Sequence, residues 1–211
     1  MEIRNSYQSR GINSYRLQAL LDHGGQSILD VGCGSGAYVL ALAKDRRIRG
    51  VDHARFDSWS GHEELFKIAA AAELPYDDTS FETVCSFEVL EHLQNPLEAL
   101  REFHRVCTRN IVITVPNCEI SDGMRRSNLL YSHWRDPTHC NFFDRNSIQQ
   151  MVISAGFRID TVYSINPISI LPFLIEAINV PKALQSAFKT LIKPFVRGNY
   201  FLTTLVVASK V

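Results

Sequence analysis

Residues Ile28–Ala37 read ILDVGCGSGA, an apolar run that ends in an aspartate and continues into three glycines. The run predicts a strand buried on both faces, and the glycines predict a turn from which a helix begins at about Ala37. Glycines at such a turn let a ligand approach the backbone closely. The stretch therefore predicts an α/β fold whose first strand–helix turn binds a ligand.

The spacing and charge of this turn narrow the choice of ligand. Dinucleotide-binding folds favour G-x-G-x-x-G, with the pyrophosphate at the helix N-terminus. Here the pattern is D-x-G-x-G-x-G, in which Asp30 precedes the first glycine by two residues. A carboxylate at this place repels a pyrophosphate and favours a ligand that carries an ammonium group, such as S-adenosylmethionine.

A second acid, Asp52, closes the next predicted strand in the stretch Gly50–His53. A carboxylate at the tip of a second strand accepts hydrogen bonds from the hydroxyls of an adenosine ribose. Because this geometry serves NAD as well, Asp52 predicts an adenosine cofactor without choosing between the two.

Over the rest of the chain, short β-rich runs alternate with helical patterns, which predicts a sheet with crossover helices. The predicted strands are Ser27–Val31, Ile48–Asp52, Lys67–Ala71, Thr83–Phe87, Asn110–Val115, Arg158–Tyr163 and Tyr200–Ala208. The predicted helices are Tyr38–Lys44, Pro96–Val106 and Arg145–Ala155.

Length and composition indicate one globular domain over 1–211, with an N-terminal arm or helix over 1–25. Hydrophobic residues make up 45% of the 211 positions, and the formal net charge is +0. No global field therefore favours nucleic acid or an acidic membrane. The five cysteines have no CxxC spacing, which argues against a disulfide framework or a zinc cluster. No signal peptide or spanning segment is evident, so we expect a reduced, cytoplasmic enzyme.

A helical insertion is predicted over 165–197, before the last strand. From Val180 onward it carries an apolar stripe opposed by lysines, and its members are Leu184, Phe188, Leu191 and Phe195 against Lys182, Lys189 and Lys193. The favoured interpretation is a segment packed on the domain, covering the substrate cleft or forming a dimer face. A membrane-surface helix over 180–196 is the less favoured alternative.

Taken together, these motifs resemble those of the class I S-adenosylmethionine-dependent methyltransferases over roughly 27–165. The resemblance is carried by ILDVGCGSG at 28–36, GVDHA at 50–54, AAAAELPYDDTSFETV at 69–84, CSFEVLEHL at 85–93, NIVITVPN at 110–117 and AGFRIDTVYSI at 155–165. It implies a Rossmann-like, seven-stranded sheet in the order 3-2-1-4-5-7-6, with the last strand antiparallel and helices on both faces. The cofactor is then expected over the carboxyl ends of the strands.

The resemblance also implies a set of cofactor-binding residues. Many relatives hold the adenine with an aspartate where this chain has Ala70, so adenine recognition here is assigned to the backbone or to Glu73. The expected cofactor-binding residues are Asp30, Gly32, Cys33, Gly34, Gly36, Asp52, His53, Ala71, Ala72, Glu73, Leu74 and Phe87.

Candidate catalytic residues follow the fourth and fifth strands, in Phe87–His92 and His133–Phe143. An oxygen nucleophile needs a base or a metal to remove its proton. The expected catalytic residues are Glu88, His92, Asp136 and His139.

The E-x-x-E-H spacing allows a metal site. The segment resembles the E-x-x-E-H segment of plant small-RNA terminal-ribose methyltransferases and of some quinone-pathway O-methyltransferases. That resemblance implies that Glu88, Glu91, His92 and His139 bind a divalent ion such as Mg²⁺, with His133 in reserve. Without a metal, Glu88 contacts the cofactor, Glu91 begins or caps a helix, and His92 lines the pocket or acts as the base.

The leading hypothesis is methyl transfer to a small polar acceptor. The expected reaction is O-methylation of a sugar or natural-product hydroxyl, with S-adenosylhomocysteine as product. Its alternatives are metal-assisted 2′-O-methylation of a terminal ribose in RNA and a non-catalytic S-adenosylmethionine-binding protein. The net charge disfavours RNA as the acceptor, since phosphate binding needs a row of basic residues. The RNA alternative would be favoured if the structure clustered five arginines on one surface: Arg101, Arg105, Arg109, Arg125 and Arg126. We expect a monomer or homodimer.

Overall fold

The computed structural model describes residues 11–126, 131–194 and 200–211. Its strands are β1 (Ser27–Val31), β2 (Arg47–Asp52), β3 (Phe66–Ile68), β4 (Phe81–Phe87), β5 (Cys107–Pro116), β6 (Phe157–Pro167) and β7 (Phe201–Lys210). Its helices are α1 (Ser14–His23), α2 (Ala37–Leu42), α3 (Pro96–Val106), α4 (Asp122–Arg126), α5 (Arg145–Ser154), α6 (Leu171–Ala177) and α7 (Gln185–Ile192).

Seven strands of the described chain form one sheet in the order β3-β2-β1-β4-β5-β7-β6. β7 runs antiparallel to both of its neighbours, and the pairs from β3 to β5 are parallel. The strand order and the antiparallel last strand predicted from the sequence are confirmed. The carboxyl ends of five neighbouring parallel strands, and the loops that follow them, therefore lie at one edge of the sheet, where open α/β sheets bind ligands.

The central strand β1 is buried at every position, because a layer of helices covers each face of the sheet. Leu29 and Val31 lie in the core layer that contains residues of α3 and α5. Ile28 lies in the opposite layer, with residues of α1 and α2. By the same alternation, Asp30 is directed towards the α1–α2 layer. Asp30 is therefore buried although it is an acid, and it lies at the edge of the sheet where ligands bind.

Most predicted elements are confirmed with shifted ends, and one strand is clearly shorter than predicted. The third strand was expected to reach Ala71 but ends at Ile68. The reason is local: the Ala69 N–H bonds the Asp52 carbonyl at 2.9 Å, and the chain then turns, with the Glu73 N–H bonding the Ala70 carbonyl at 3.1 Å. β6 is longer than predicted because its pairing with β7 continues to Pro167.

The insertion between β6 and β7 is helical in part, and two leucines of its apolar stripe are exposed, so its role as a cover for the substrate cleft or as a dimer face stays a prediction. Leu184 is 58% exposed and Leu191 is 68% exposed. Phe195 lies outside the described residues. Among the described helices, none combines the length and the hydrophobicity that a bilayer-spanning segment requires.

The turn after β1 depends on glycine for two separate reasons at Gly32. Its φ of 73° is in the left-handed region, which costs an L-residue roughly 1–2 kcal/mol. In addition, a Cβ at this position would collide with the Val89 side chain. Gly61 also has a left-handed φ, 81°, but has open space around it. It therefore offers a matched control for strain without collision.

We predict that Gly32→Ala lowers the free energy of unfolding by about 1–3 kcal/mol more than Gly61→Ala does, because only the first substitution adds overpacking. Chemical denaturation of both variants measures the difference. Gly32→Ala/Val89→Ala should lose most of that excess; equal destabilisation by Gly32→Ala and Gly61→Ala would contradict the steric explanation.

Candidate active site

The glycine loop after β1 is anchored to its surroundings by backbone and side-chain hydrogen bonds. The N–H groups of Gly32 and Cys33 both donate to the Val51 carbonyl, at 2.8 and 3.1 Å. On the outer side, Trp59 Nε1 donates to the Gly34 carbonyl at 2.9 Å. The indole is buried and stacks on the Phe66 ring at 4.7 Å. The loop is thus a preformed surface, and the Trp59 segment braces its outer side.

The two acids predicted to bind the cofactor lie at the ends of neighbouring strands in different environments. Asp52 Oδ2 accepts from the Gly34 N–H at 2.8 Å, and His53 Nδ1 lies 2.8 Å from Asp52 Oδ1. Asp30 is 2% exposed, and within the described residues its Oδ2 atom has no hydrogen-bond partner. Burial raises the pKa of Asp30 to about 7, assisted by the negative charge of Asp52, while Cys85 and Arg16 lower it.

A cavity of about 840 Å³ opens over this loop. It combines the glycine loop and both acids with the region that follows β4. Its lining from the first region includes Asp30, Gly32, Cys33, Gly34, Asp52 and His53; from the second it includes Phe87, Glu88, Val89, His92, Leu93 and Thr138. The predicted cofactor and catalytic regions therefore share one space.

Arg16 is a cavity residue that the sequence interpretation missed. Its Nη2 lies 2.8 Å from Glu88 Oε1, and its guanidinium lies 5.6 Å from the centre of the Phe87 ring. The available signal was its position on α1: Arg16 shares a helix face with the buried residues Ala19 and Leu20.

Glu88 is held towards Arg16 by an unusual backbone conformation. Its φ is 57°, although it is not glycine, and its N–H bonds the Thr114 carbonyl at 3.0 Å. Left-handed backbone at a non-glycine residue is uncommon and clusters at functional sites. Among the described residues around the loop, the carboxylates of Asp30, Asp52 and Glu88 lie with the guanidinium of Arg16, while Arg55, which also lines the cavity, pairs with Glu63. This acidic excess favours a cationic ligand group.

The second polar group of the site is formed by Glu91, His92 and His139. One ligand atom from each of these side chains lies within 4.8 Å of the others. Glu91 is 1% exposed, and the rings of the two histidines meet edge to face at 4.8 Å. Glu88, the fourth residue of the predicted metal set, is not in this group; its carboxylate pairs with Arg16 instead.

Backbone carbonyls define the tautomers of these two histidines. His92 Nδ1 lies 3.1 Å from the Thr138 carbonyl, and His139 Nδ1 lies 3.1 Å from the His133 carbonyl. A carbonyl can only accept, so each Nδ1 carries the hydrogen and each Nε2 of the neutral ring carries a lone pair. Burial lowers the pKa of His139, and nearby His92 lowers it further, which keeps that ring neutral.

The loop that supplies His139 is tied to the turn after β4. The N–H groups of Cys140 and Asn141 both donate to the Glu91 carbonyl, at 2.7 and 3.0 Å. Asp136 accepts from the N–H and the hydroxyl of Thr138, which lowers its pKa. Asp136 thus shapes the loop, and its predicted catalytic role stays a prediction. His133, the reserve ligand, has Nε2 3.0 Å from the Leu202 carbonyl.

The predicted adenine segment does not line this cavity. Leu74 is buried in the core, and its N–H donates to Glu102 Oε2 at 2.9 Å. The neighbouring residues Ala71, Ala72 and Glu73 are also absent from the lining. Their assignment to adenine stays a prediction, whereas Phe56 and Ala54 lie on the cavity wall next to Asp52.

Comparison with known proteins identifies this arrangement of sheet and site. A family model described as a methyltransferase domain matches residues 5–162. The chain belongs to the class I S-adenosylmethionine-dependent methyltransferases. Its methyltransferase fold is shared with a crystal structure of an S-adenosylmethionine-dependent methyltransferase from Archaeoglobus fulgidus, with a TM-score of 0.67, 20% identity and coverage of 99% of both chains.

Curated relatives of this methyltransferase are longer than the chain. An uncharacterized 37.1 kDa protein in transposon TN4556 of Streptomyces fradiae is 26% identical over 76% of this chain and 51% of its own length. The 27-O-demethylrifamycin SV methyltransferase of Amycolatopsis mediterranei is 33% identical over 39% of this chain and 35% of its own. The chain thus spans about half or less of these relatives.

If Asp30 binds the ammonium group as predicted, its raised pKa makes cofactor binding by this methyltransferase dependent on pH. An ammonium group beside Asp30 stabilises its charged form, so binding of S-adenosylhomocysteine should release close to one proton near pH 6. We predict that the affinity rises by up to about tenfold per pH unit below pH 7 and levels off above it. Calorimetry in buffers of different ionisation enthalpy measures both quantities.

The control variants separate Asp30 from other acids. Asp30→Asn should bind S-adenosylhomocysteine weakly and without pH dependence, whereas Asp45→Asn, which alters an exposed carboxylate, should retain the affinity and its pH dependence.

The raised pKa of Asp30 also affects stability. Between about pH 4 and 7 the folded apo-protein holds a proton on Asp30 that the unfolded chain has released, so this group lowers the free energy of unfolding as pH rises. Asp30→Asn should therefore stabilise the apo-protein at pH 8; destabilisation there would contradict a desolvated carboxyl.

Proposed function

We propose that the chain transfers the methyl group of S-adenosylmethionine to a hydroxyl of a small polar acceptor, a sugar or a natural product. The observation that carries the proposal is the shared cavity, whose lining includes Asp30 and Asp52 together with His92. Methyl transfer is an in-line displacement, so the enzyme must place the acceptor opposite the sulfonium. A base at the acceptor end suits an oxygen nucleophile, whose proton must leave.

In this proposal, the cofactor has three contacts on the glycine-loop side. The ammonium group lies at Asp30, the ribose hydroxyls lie at Asp52, and the carboxylate is bound by Arg16. Arg16 can make that contact only by sharing or leaving Glu88, its partner in the apo-protein. The fit is supported by the unpartnered Oδ2 of Asp30 and by the left-handed φ of Gly34, 52°, where nothing lies within 4 Å of a would-be Cβ.

His92 is the proposed general base. Its Nδ1–H is directed to the Thr138 carbonyl, which leaves Nε2 as the basic nitrogen. Thr138 and Leu93, also cavity residues, would contact the acceptor. The rifamycin-related relative is named for an O-demethylated natural product, which agrees with a hydroxyl acceptor.

A divalent cation at the neighbouring group of side chains is the alternative to this base, because the lone pair on His92 Nε2 cannot both bind a cation and accept a proton. Glu91, His92 and His139 offer two imidazole nitrogens and one carboxylate oxygen, the donor set that suits Mn²⁺ or Fe²⁺ among first-row ions. The backbone carbonyls that accept from both Nδ1–H groups provide the orienting contacts that metal-bound histidines usually have. Such an ion, when bound, lowers the pKa of a coordinated hydroxyl.

Among the described residues, the arginines that would favour RNA do not form one continuous track. Arg105 binds Glu102 and Asp78, at 2.7 and 2.8 Å. Arg109 lies near the start of β5, whereas Arg125 follows its end, so the arginines occupy opposite ends of a ten-residue strand. This arrangement favours a small acceptor over a phosphate backbone. The non-catalytic alternative is disfavoured by the base and carboxylate beside the cofactor cavity.

We predict that His92→Ala lowers kcat by about 10²–10⁴-fold and leaves S-adenosylhomocysteine affinity within a few-fold. His62→Ala, which alters an exposed histidine, should leave both unchanged. Methyl transfer from labelled cofactor to sugar nucleotides, glycans and hydroxylated natural products provides the assay. If no acceptor is labelled but S-adenosylhomocysteine binds tightly, the non-catalytic alternative is favoured; undiminished turnover in His92→Ala would contradict the assigned base.

The cation is tested without an acceptor. We predict that the protein binds Mn²⁺ with one site per chain by electron paramagnetic resonance, and that Glu91→Gln weakens binding at least tenfold because it removes the anionic ligand. Glu98→Gln, an exposed carboxylate on α3, is the matched control. Absence of stoichiometric Mn²⁺ binding, together with full turnover in excess chelator, would exclude the cation and leave His92 as the base alone.

A further inference from the structure

We propose that residues 177–194, here called the basic segment, dock on the surface of an anionic lipid bilayer. The segment contains α7 and lies within the insertion between β6 and β7. This inference goes beyond methyl transfer and is independent of it, because docking requires neither cofactor nor acceptor.

The charges of the basic segment all have one sign. Lys182, Lys189 and Lys193 lie within it, and it contains no aspartate or glutamate. The rest of the chain balances these charges, since the whole sequence has a formal net charge of +0. The segment is therefore a local basic surface on a neutral protein, and anionic lipids attract such a surface by about 1 kcal/mol per lysine.

The apolar residues of the segment occupy the opposite side of the helix from the lysines. With 3.6 residues per turn, positions 184, 187, 188 and 191 form one stripe, and positions 182, 189 and 193 form the other. Leu184 and Leu191 are 58% and 68% exposed, and Ile178, just ahead of them, is 58% exposed. Exposed large apolar side chains beside lysines, on a short helix, are typical of an interfacial helix.

The position of the segment directs it towards the active-site edge. The insertion that contains the segment runs from the end of β6 to the start of β7. Where the insertion leaves the sheet, the Ile168 N–H donates a hydrogen bond to the Tyr200 carbonyl at 2.8 Å. The start of β7 also contacts the acceptor-side loop, since His133 Nε2 lies 3.0 Å from the Leu202 carbonyl. A docked segment would therefore hold the cavity edge near the bilayer, where amphiphilic acceptors concentrate.

Charge complementarity favours a lipid surface over a second copy of the chain. A two-fold dimer through this stripe would place two segments of the same positive charge side by side, with the lysines on their outer sides and no acid in either segment to compensate. An anionic bilayer supplies the missing negative charge and accepts the exposed leucines together.

The experiment is co-sedimentation of the full chain with vesicles of phosphatidylcholine alone, or of equal parts phosphatidylcholine and phosphatidylglycerol. We expect binding to the anionic vesicles only, weakened by high salt. Lys182→Gln/Lys189→Gln/Lys193→Gln should lower the partition coefficient roughly 100-fold, and Leu184→Ser/Leu191→Ser should lower it at least roughly tenfold. Lys44→Gln and Ile153→Ser alter an exposed lysine and an exposed isoleucine elsewhere and should leave it unchanged.

Two outcomes would overturn the proposal. One is wild-type protein that stays in the supernatant with anionic vesicles at low salt. The other is a dimer in analytical ultracentrifugation that Leu184→Ser/Leu191→Ser converts to monomer without any change in vesicle binding. Far-ultraviolet circular dichroism and S-adenosylhomocysteine affinity of each variant establish that loss of binding is not loss of folding.

Discussion

The burial of one carboxylate, Asp30, is the constraint on which the rest of the site depends. It lies at the end of the central strand, is 2% exposed, and has an oxygen without a partner in the described residues. Burying a charge without pairing it is costly, so an apo-protein that retains such a group is organised for a cationic ligand. Arg16 balances part of the charge, but Glu88 already pairs with it. In the proposed binding mode, the ammonium of S-adenosylmethionine supplies the missing positive charge.

The two ends of the cavity are built by different means. At the cofactor end, the glycine loop is held by backbone bonds to Val51 and by the Trp59 indole, so it is rigid before any ligand arrives. At the acceptor end, His139 reaches the site on a long loop that is tied to the turn after β4 through the Glu91 carbonyl. If the acceptor binds at this loop as proposed, a preformed cofactor surface with a loop-borne acceptor site allows one fold to serve many acceptors.

The sequence predicted the parts of the site that local pattern determines. Asp30, the glycines and Asp52 follow the ends of strands, so their convergence follows from parallel strand order alone. Contacts between distant elements were not predictable in this way. The pairing of Arg16 with Glu88 joins α1 to the end of β4, and it removes Glu88 from the metal set that E-x-x-E-H had suggested. The end of β3 depended on a turn whose sequence, four alanines, carries no turn signal.

The insertion between β6 and β7 shows the same difference between local pattern and long-range contact. Its periodicity predicted a helix with an apolar stripe, which is confirmed in α7, but periodicity alone does not say what covers the stripe. The structure leaves Leu184 and Leu191 exposed, which docking on a membrane surface requires.

A crystal structure with S-adenosylhomocysteine tests the central claim most directly. The account predicts the ligand's ammonium within hydrogen-bond distance of Asp30 Oδ2, its ribose hydroxyls on Asp52, and its sulfur directed towards His92. A ligand bound with its ammonium away from Asp30, or in another cavity, would contradict it.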